Sequence, residues 1–285
     1  MSSAKAATRA ESGVLYLVST PIGNLGDMSH RAVEVLSSAA LVIAEDTRHS
    51  RRLLDHYHIA TPLSSYHEHN EAKETPRLVA RLQRGDSIAL ISDAGTPLIS
   101  DPGSRLVDAA VAAAVPVVPI PGPSAVMAAL VASGMSLERF TYFGFLPRKG
   151  KERTETIADV VASQATSVLF EAANRVSATL DALVEAGAGE RAAVVARELT
   201  KQFEEFKRGS VAELASAYKE TDPKGEVVLV IAGAEKPIVS EHELSDAAAQ
   251  LRASGKAPRD IMDHLVSTLG APRNLAYRIA HQGDS

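Results

Sequence analysis

Residues 88–103 read IALISDAGTPLISDPG, and this stretch predicts a buried strand followed by a long, rigid loop. Residues 88–91 are apolar throughout, as expected for a central parallel strand whose two faces are both covered by helices. In the loop, Gly95 allows the backbone to approach a ligand closely, and Pro97 restricts its conformation. Asp93, at the end of the strand, could accept a hydrogen bond from a ligand ammonium or hydroxyl group. We interpret the loop as part of a ligand site.

Strand and helix patterns alternate on both sides of this stretch. Short apolar runs predict strands at residues 14–18, 41–44, 63–66, 88–91, 117–120, 168–170, 192–196 and 227–231. Helical spacing of apolar residues predicts helices at residues 29–38, 47–57, 73–83, 102–115, 124–133, 177–185 and 211–218. The alternation predicts an α/β fold with a mostly parallel sheet in the first half. The second half is expected to be a mixed, partly antiparallel α/β unit.

The length of 285 residues suits two domains and a tail better than one average domain. We expect a disordered tail, an N-terminal α/β domain, a second α/β domain and a C-terminal helical region at residues 1–12, 13–135, 136–234 and 235–285. Three short helical patterns in the last region, separated by Gly255 and Gly270, predict a three-helix appendage.

The composition excludes several classes of protein. The chain has no cysteine, which excludes disulfides, thiolate metal sites and cysteine nucleophiles and fits a reducing, cytoplasmic location. Residues 1–12 lack the apolar core of a secretory signal, and a charge and two prolines interrupt the apolar stretch at residues 106–120, so no membrane span is expected. A net charge of −5 means that any RNA contact must come from local basic patches or from shape.

Other polar loops also follow predicted strands, and ligands of open α/β sheets bind at the carboxyl ends of strands. Residues 19–27 (STPIGNLGD) form either a ligand loop or an ordinary turn. Glu45, Asp46 and Arg48 could bind a polar ligand, but a simple helix cap by Asp46 would explain them as well. Residues 121–125 (PGPSA) stiffen a neighbouring turn, so these loops together could form a cleft.

Two charged segments follow strands of the second half. Residues 170–175 read FEAANR and residues 197–201 read RELTK. If they face the first domain, they would close a site between the two domains, which is a common position for one. They could equally cap helices or form surface ion pairs, and for Glu198 and Lys201 both interpretations stay open.

Several catalytic classes lack their motif in this chain. A Walker A loop, a G-x-G-x-x-G loop and a G-x-S-x-G elbow are all missing from the sequence. His67 and His69 have an i, i+2 spacing that suits no helical zinc site, and no cysteine supports one. We therefore expect no metal site and interpret these histidines as solvated or RNA-facing.

Seven motifs, taken in this order, resemble the ribosomal RNA small subunit methyltransferase I family of the tetrapyrrole-methylase-like superfamily. They are TPIGNLGD at 20–27, EDTR at 45–48, HEHNE at 67–71, SDAGTP at 92–97, SDPG at 100–103, PGPSA at 121–125 and RELTK at 197–201. The resemblance runs from about Gly13 to Gly233, and the helical tail also looks similar. Residues 202–206 (QFEEF) vary within the family, so the resemblance assigns them no role.

The resemblance implies two α/β domains of the tetrapyrrole methylase type, with S-adenosylmethionine bound in the cleft between them. It also implies a homodimer that methylates the 2′-oxygen of a cytidine in the decoding region of small-subunit (16S) ribosomal RNA, either as naked RNA or within the small ribosomal subunit. By the superfamily pattern, cofactor contacts are expected at Pro21, Asp93, Ala94, Gly95, Ile99, Ser124, Ala125, Phe170 and Glu171.

A ribose hydroxyl is a poor acid, so a base or a nearby cation should assist methyl transfer to it. The candidates for this catalytic role are Lys201, Glu198, Glu45 and Asp46. The expected contacts to RNA phosphates are Arg48, Arg51, Arg148 and Lys149, although solvated faces explain these charges nearly as well.

Two other functions remain open on the sequence alone. One is a tetrapyrrole or other small-molecule methyltransferase of the same superfamily, against which the motifs at 45–48 and 67–71 argue. The other is a non-catalytic RNA-binding module, against which the charged residues at several strand ends argue. Cofactor binding separates the two, because a pure RNA-binding module should show none.

Overall fold

The computed structural model describes residues 11–235 and 240–282. Residues 1–10 of the predicted N-terminal tail lie outside the described residues. Internal packing divides the chain into two units, Met1–Gly233 and Ala234–Ser285. No helix among the described residues has both the length and the apolar character needed to cross a bilayer.

The first sheet contains five strands, each followed by a helix. The strands are β1 (Leu15–Val18), β2 (Leu41–Ala44), β3 (Leu63–Ser65), β4 (Ile88–Ile91) and β5 (Val117–Ile120). The helices are α1 (His30–Ser38), α2 (Thr47–His56), α3 (Glu71–Gln83), α4 (Ser104–Ala112) and α5 (Ala125–Ser133). The sheet order is β3-β2-β4-β1-β5, and every pairing is parallel. The predicted parallel sheet is therefore confirmed, and β4 lies at its centre.

Helices cover both faces of this sheet. Successive side chains of a strand point to opposite faces, so each strand buries side chains on both sides. On one face, Tyr16 and Val18 of β1 pack with residues of α1 and α2 such as Leu36 and Leu54. On the other face, Leu15 packs with residues of α3 and α4. This burial explains why the strands read as continuous apolar runs rather than as alternating patterns.

The second sheet is mixed. Its strands are β6 (Phe140–Phe145), β7 (Thr166–Ala172), β8 (Ala192–Arg197), β9 (Glu205–Ser210) and β10 (Glu226–Ile231), and its helices are α6 (Lys151–Ala162), α7 (Val176–Leu183) and α8 (Val211–Tyr218). The order is β6-β7-β10-β8-β9, with β6 parallel to β7 and the other pairs antiparallel. The expected partly antiparallel character is confirmed. The sequence patterns had not indicated β6, α6 or β9.

Helix α5 packs against the second sheet although it follows the last strand of the first. Ala129 and Leu130 contact residues of β7, β8 and β10, while α6, α7 and α8 cover the opposite face. Met127 and Val131 on the same helix remain 48% and 66% exposed. A helix that is apolar on all sides and still exposes part of its surface presents an uncovered apolar face.

The C-terminal unit contains three short helices, as expected. They are α9 (Glu241–Ala253), α10 (Pro258–Ser267) and α11 (Arg273–Ala280), and they bury a small core that includes Leu244, Ile261, Leu265 and Ile279. The side chain of Ser240 caps α9 in a capping box with Glu243.

Candidate active site

A cavity of about 330 Å³ lies between the loop that follows β4 and the second sheet. Its lining includes eight of the nine predicted cofactor contacts, namely Asp93, Ala94, Gly95, Ile99, Ser124, Ala125, Phe170 and Glu171. Pro21, the ninth, is outside the lining that the described residues form, whereas its neighbour Ile22 is part of it. The volume lies within the range of small-molecule sites, about 300–1,000 Å³.

Hydrogen bonds between loops hold one wall of the cavity. The backbones of Thr20 and Gly95 exchange two hydrogen bonds of 2.9 and 3.0 Å, which join the loops after β1 and β4. The Thr96 hydroxyl lies 3.1 Å from the Ser19 hydroxyl and donates to the Pro123 carbonyl at 3.1 Å, which joins the loop after β5. Most of these contacts use backbone atoms, so the wall is shaped before any ligand arrives.

The loop after β4 holds its residues in uncommon conformations. Gly95 has a φ of +82°, and a Cβ atom there would lie 3.3 Å from the Ile22 side chain. Leu98 and Ser100 have φ values of 72° and 66°, which non-glycine residues rarely adopt. Such backbone strain is typical of ligand-binding and catalytic loops.

An acidic group faces this cavity, and sequence reasoning missed its central member. Burial raises the pKa of Asp101 to about 6, and the charges of Glu45 and Asp93 add to the shift, while a hydrogen bond with Ser92 opposes it. Burial and then the charge of Asp93 also raise the pKa of Glu45. Asp101 lines the cavity together with Asp93, eight positions earlier in the same loop. The presence of two aspartates in this loop was the sequence signal that could have identified Asp101. The carboxylates of Asp93 and Asp101 make the wall favourable for a cationic ligand.

The rings of Phe145 and Phe170 line the opposite wall, and Tyr142 packs against Phe170. The Phe170 ring lies 5.3 Å from the ring of Phe145 and 5.2 Å from that of Tyr142, both in edge-on geometry. The Tyr142 hydroxyl is 2.7 Å from the Ser100 hydroxyl, so a hydrogen bond links the second sheet to the loop after β4. This wall offers apolar contact to a flat ligand group.

The Glu171 carboxylate is fully buried behind the cavity wall rather than directed into the cavity. It accepts hydrogen bonds from the Thr179 hydroxyl at 2.6 Å and from the Ala172 N–H at 2.9 Å. Two guanidinium groups approach it, that of Arg175 at 3.4 Å and that of Arg153 at 3.9 Å. The Glu171 backbone therefore provides the contact with the cavity, and the side chain organises the structure behind it.

The same two arginines hold the segment that follows β6. Arg175 donates to the carbonyls of Leu146 and Pro147 at 3.0 and 2.9 Å, and Arg153 donates to the Pro147 carbonyl at 3.3 Å. Arg153 is thus directed inward, unlike Arg148 and Lys149, which are exposed just beyond this segment.

Lys201 lies in an ion-pair cluster beside the cavity. Its ammonium group is 2.9 Å from both the Glu198 and the Glu226 carboxylate, and Glu226 also lines the cavity. Burial lowers the pKa of Lys201, but the hydrogen bonds to these two carboxylates outweigh burial and leave the pKa raised. The hydrogen bond from Lys201, followed by that from the Glu226 N–H, lowers the pKa of Glu198. In this arrangement Lys201 is a cation rather than a free base.

The loop after β1 packs closely on this cluster. A Cβ atom at Gly23 would lie 2.4 Å from Lys201 Cγ and 3.0 Å from the Leu199 carbonyl oxygen, so only glycine fits there. Glu198 and Thr200 have positive φ values of 51° and 65°, so the segment that Gly23 contacts also carries backbone strain.

The remaining predicted residues lie at the edge of the site. Asp46 caps α2 by accepting a hydrogen bond from the Arg48 N–H at 2.8 Å, and its carboxylate pairs with the Arg48 side chain at 3.2 Å. The hydrogen bond from Arg48 lowers the pKa of Asp46. Arg48 and Arg51 are both exposed on α2. The capping interpretation thus accounts for Asp46.

The chain matches the family described as Tetrapyrrole (Corrin/Porphyrin) Methylases over residues 14–215. It is 46% identical over 271 residues to a Synechocystis protein named Ribosomal RNA small subunit methyltransferase I, with 94% of this chain and 97% of the relative covered. Proteins of the same name from Pseudomonas aeruginosa and Mesorhizobium japonicum are 47% and 49% identical, covering 95% and 85% of this chain and 97% and 84% of their own lengths.

Solved structures share the fold at lower identity. A uroporphyrin-III-C-methyltransferase from Thermus thermophilus matches with a TM-score of 0.55 and 21% identity, over 77% of this chain and 94% of its own. A diphthine synthase matches with a TM-score of 0.58 and 15% identity, over 77% of this chain and 89% of its own.

Proposed function

The chain belongs to the ribosomal RNA small subunit methyltransferase I family of tetrapyrrole methylases, and we propose that it methylates the 2′-oxygen of a cytidine ribose in small-subunit (16S) ribosomal RNA. S-adenosylmethionine is the methyl donor. The main support is that eight residues named from the family resemblance line a single cavity. The decoding region is the proposed location of the cytidine.

The residues of the cavity suit S-adenosylmethionine. Asp93 and Asp101 present carboxylates to a ligand that carries an ammonium and a sulfonium charge. Phe145 and Phe170 provide apolar surface for its flat base. These features fit the donor without a metal ion.

The bound donor would supply an activated methyl group, because transfer of that methyl from the positively charged sulfur releases a neutral thioether, which is a good leaving group. The protein must then align the ribose oxygen with that methyl group, and alignment alone can lower a barrier by about 7 kcal/mol or more. The loops after β1, β4 and β5 are joined by hydrogen bonds and thus provide a rigid frame for this alignment.

We place Asp101 first among the groups that could receive the 2′-hydroxyl proton. It lines the cavity and is deprotonated above a pKa of about 6, so it can act as a base at neutral pH. Glu45 lies near enough to Asp101 for its charge to raise that pKa, and it remains a further candidate.

Lys201 and Glu198 are proposed to position the substrate through the cluster with Glu226. The protonated Lys201 side chain also offers a positive charge near the developing alkoxide. Changing Lys201→Ala or Glu198→Ala should lower turnover while cofactor affinity, measured by calorimetry, stays normal. Unchanged turnover in both variants would remove this cluster from the mechanism.

RNA phosphates are proposed to contact Arg48 and Arg51 on one side of the site and Arg148 and Lys149 on the other. These four side chains are exposed, and Arg148 and Lys149 follow the β6 segment that Arg153 and Arg175 anchor. Phosphate contacts position a nucleic acid, whereas the 2′-hydroxyl identifies it as RNA.

A homodimer is proposed as the working form. The exposed apolar side chains of Met127 and Val131 on α5 and of Phe140 on β6 provide surface that a second copy would cover. A cytoplasmic location is proposed on the basis of the ribosomal substrate and the absence of cysteine.

The deciding experiment is methyl transfer from labelled S-adenosylmethionine to small ribosomal subunits that lack the modification. The modified position is mapped by resistance to alkaline cleavage, which requires a free 2′-hydroxyl. One resistant ribose in the decoding region is the expected result. Cofactor binding without transfer to subunits or naked RNA would instead indicate a small-molecule methylase.

A further inference from the structure

The C-terminal unit contains a groove of about 560 Å³ that the catalytic proposal does not use. It lies between α10 and α11 and is lined by Arg259, Met262, Arg273, Asn274, Tyr277 and His281. No carboxylate belongs to this lining, although the same unit carries several acidic residues.

Two aromatic rings form a platform along one side of the groove. Tyr277 lies on α11 and His281 directly follows that helix, four positions later, and their rings lie 4.3 Å apart with a tilt of 30°. The Tyr277 side chain is 58% exposed. Paired, solvent-facing rings are the kind of surface on which unpaired bases stack.

Free positive charge lies beside this platform. Arg259 and Arg273 are exposed, and neither has a carboxylate partner among residues 11–235 and 240–282. The other two arginines of the unit are used internally: Arg278 pairs with Glu241 at 2.8 Å, and Arg252 donates to the Ile279 carbonyl at 3.1 Å. The unpaired guanidinium groups are thus confined to the groove.

A short connection between the two helices sets where α11 begins. Helices α10 and α11 are joined by the short segment 268–272, in which Gly270 has a left-handed φ of +69°. Arg273 and Asn274 are the first two residues of α11, and both line the groove.

We propose that this groove binds unpaired nucleotides of RNA, with a base stacked on Tyr277 and phosphates held by Arg259 and Arg273. The Asn274 amide would donate to or accept from a base edge. Exposed aromatic side chains, a planar amide and unpaired guanidinium groups are the chemical groups with which proteins recognise single-stranded RNA. The inference rests on the proposed function, in that the bound strand belongs to the same ribosomal substrate.

The test compares the full-length wild type with Tyr277→Ala and Arg273→Gln. Arg278→Gln is the matched control, since it removes the same charge from the same helix but outside the groove. Binding is measured by fluorescence anisotropy on a labelled single-stranded RNA and on unmodified small subunits, over a range of salt concentrations. Far-UV circular dichroism and cofactor affinity establish that each variant is folded.

We expect Tyr277→Ala to weaken RNA binding about fivefold or more, as loss of one stacked base predicts. Arg273→Gln should reduce the slope of log affinity against log salt by about 0.7, the value for one phosphate contact on a single strand. Arg278→Gln should leave both quantities unchanged.

Wild-type affinity and salt slope in Tyr277→Ala and Arg273→Gln would overturn the groove proposal while leaving the proposed methylation intact. Loss of subunit binding in these variants without any effect on isolated RNA would also overturn it, because the groove would then contact a ribosomal protein. A wild type that binds neither RNA nor subunits would contradict both proposals.

Discussion

Replacing the buried Glu171 with glutamine should destabilise the protein strongly although it alters no surface group. The change preserves size and a hydrogen bond to Thr179, but it removes the negative charge that faces Arg153 and Arg175. The side chains of these arginines are only 16% and 23% exposed, so water cannot fully replace the carboxylate. Removing one partner of a buried ion pair typically costs 3–5 kcal/mol.

We expect the lower end of that range for Glu171→Gln, about 3 kcal/mol. Each arginine retains hydrogen bonds to backbone carbonyls at Leu146 or Pro147, which reduces the penalty. Cofactor affinity should fall as well, because Arg153 and Arg175 lose the charge that fixes them and they hold the Leu146–Pro147 segment, which directly follows Phe145 in the cavity wall.

The assay is urea unfolding followed by far-UV circular dichroism, since the chain has no tryptophan. The exposed Glu190→Gln is the control in the same sheet region, and it should change the free energy of unfolding by no more than about 0.5 kcal/mol. A cost below about 1 kcal/mol for Glu171→Gln would refute the description of this carboxylate as buried and paired.

Three further predictions concern the site and the proposed dimer. The pKa of Asp101 is higher in the folded than in the unfolded chain, so its contribution to stability is present below pH 3.8 and is lost as the pH rises through about 6. Asp101→Asn should therefore be more stable than the wild type above pH 6 in thermal unfolding. If Asp101 is the base, wild-type turnover should fall below about pH 6, whereas turnover of Asp101→Asn should be low and should lack that fall; an unchanged pH–rate profile would exclude Asp101 as the base. Gly23→Ala should displace Lys201 and lower turnover about tenfold or more, with normal cofactor affinity by calorimetry, and wild-type turnover would show that the close contact is not needed. Val131→Lys on α5 should convert a dimer to a monomer in light scattering, whereas Val111→Lys, at a similarly exposed position on α4, should not; a dimer in both variants would place the interface elsewhere.

The first sheet was predictable because each of its inner strands is buried on both faces. Residues 88–91 and 41–44 therefore read as uninterrupted apolar runs, which a parallel sheet requires. The edge strand β9 has the sequence EFKRGS and is only partly buried, so no apolar pattern identifies it. Strand β6 begins with exposed residues and contains Gly144, and this combination weakens its strand signal.

The loops of the site were predictable, but the contacts between them were not. Gly95 and Asp93 were identified because glycine, proline and aspartate cluster after a strand. The second partner of Lys201, Glu226, was not identified, because it comes from a strand that is adjacent only in the folded sheet. The inward direction of the Glu171 carboxylate likewise depends on Thr179 and on the arginines that surround it.

The two walls of the cavity offer different freedom to a protein engineer. One wall is held by backbone hydrogen bonds between Thr20 and Gly95 and by the Thr96 hydroxyl, and the positive φ at Gly95 favours glycine there, so this wall tolerates little change. The other is lined by the rings of Phe145 and Phe170, which can be exchanged one at a time. A library confined to those two positions would vary which molecules the cavity accepts while the frame that aligns the reaction is inherited unchanged. Such a division lets one scaffold acquire new substrates in few steps.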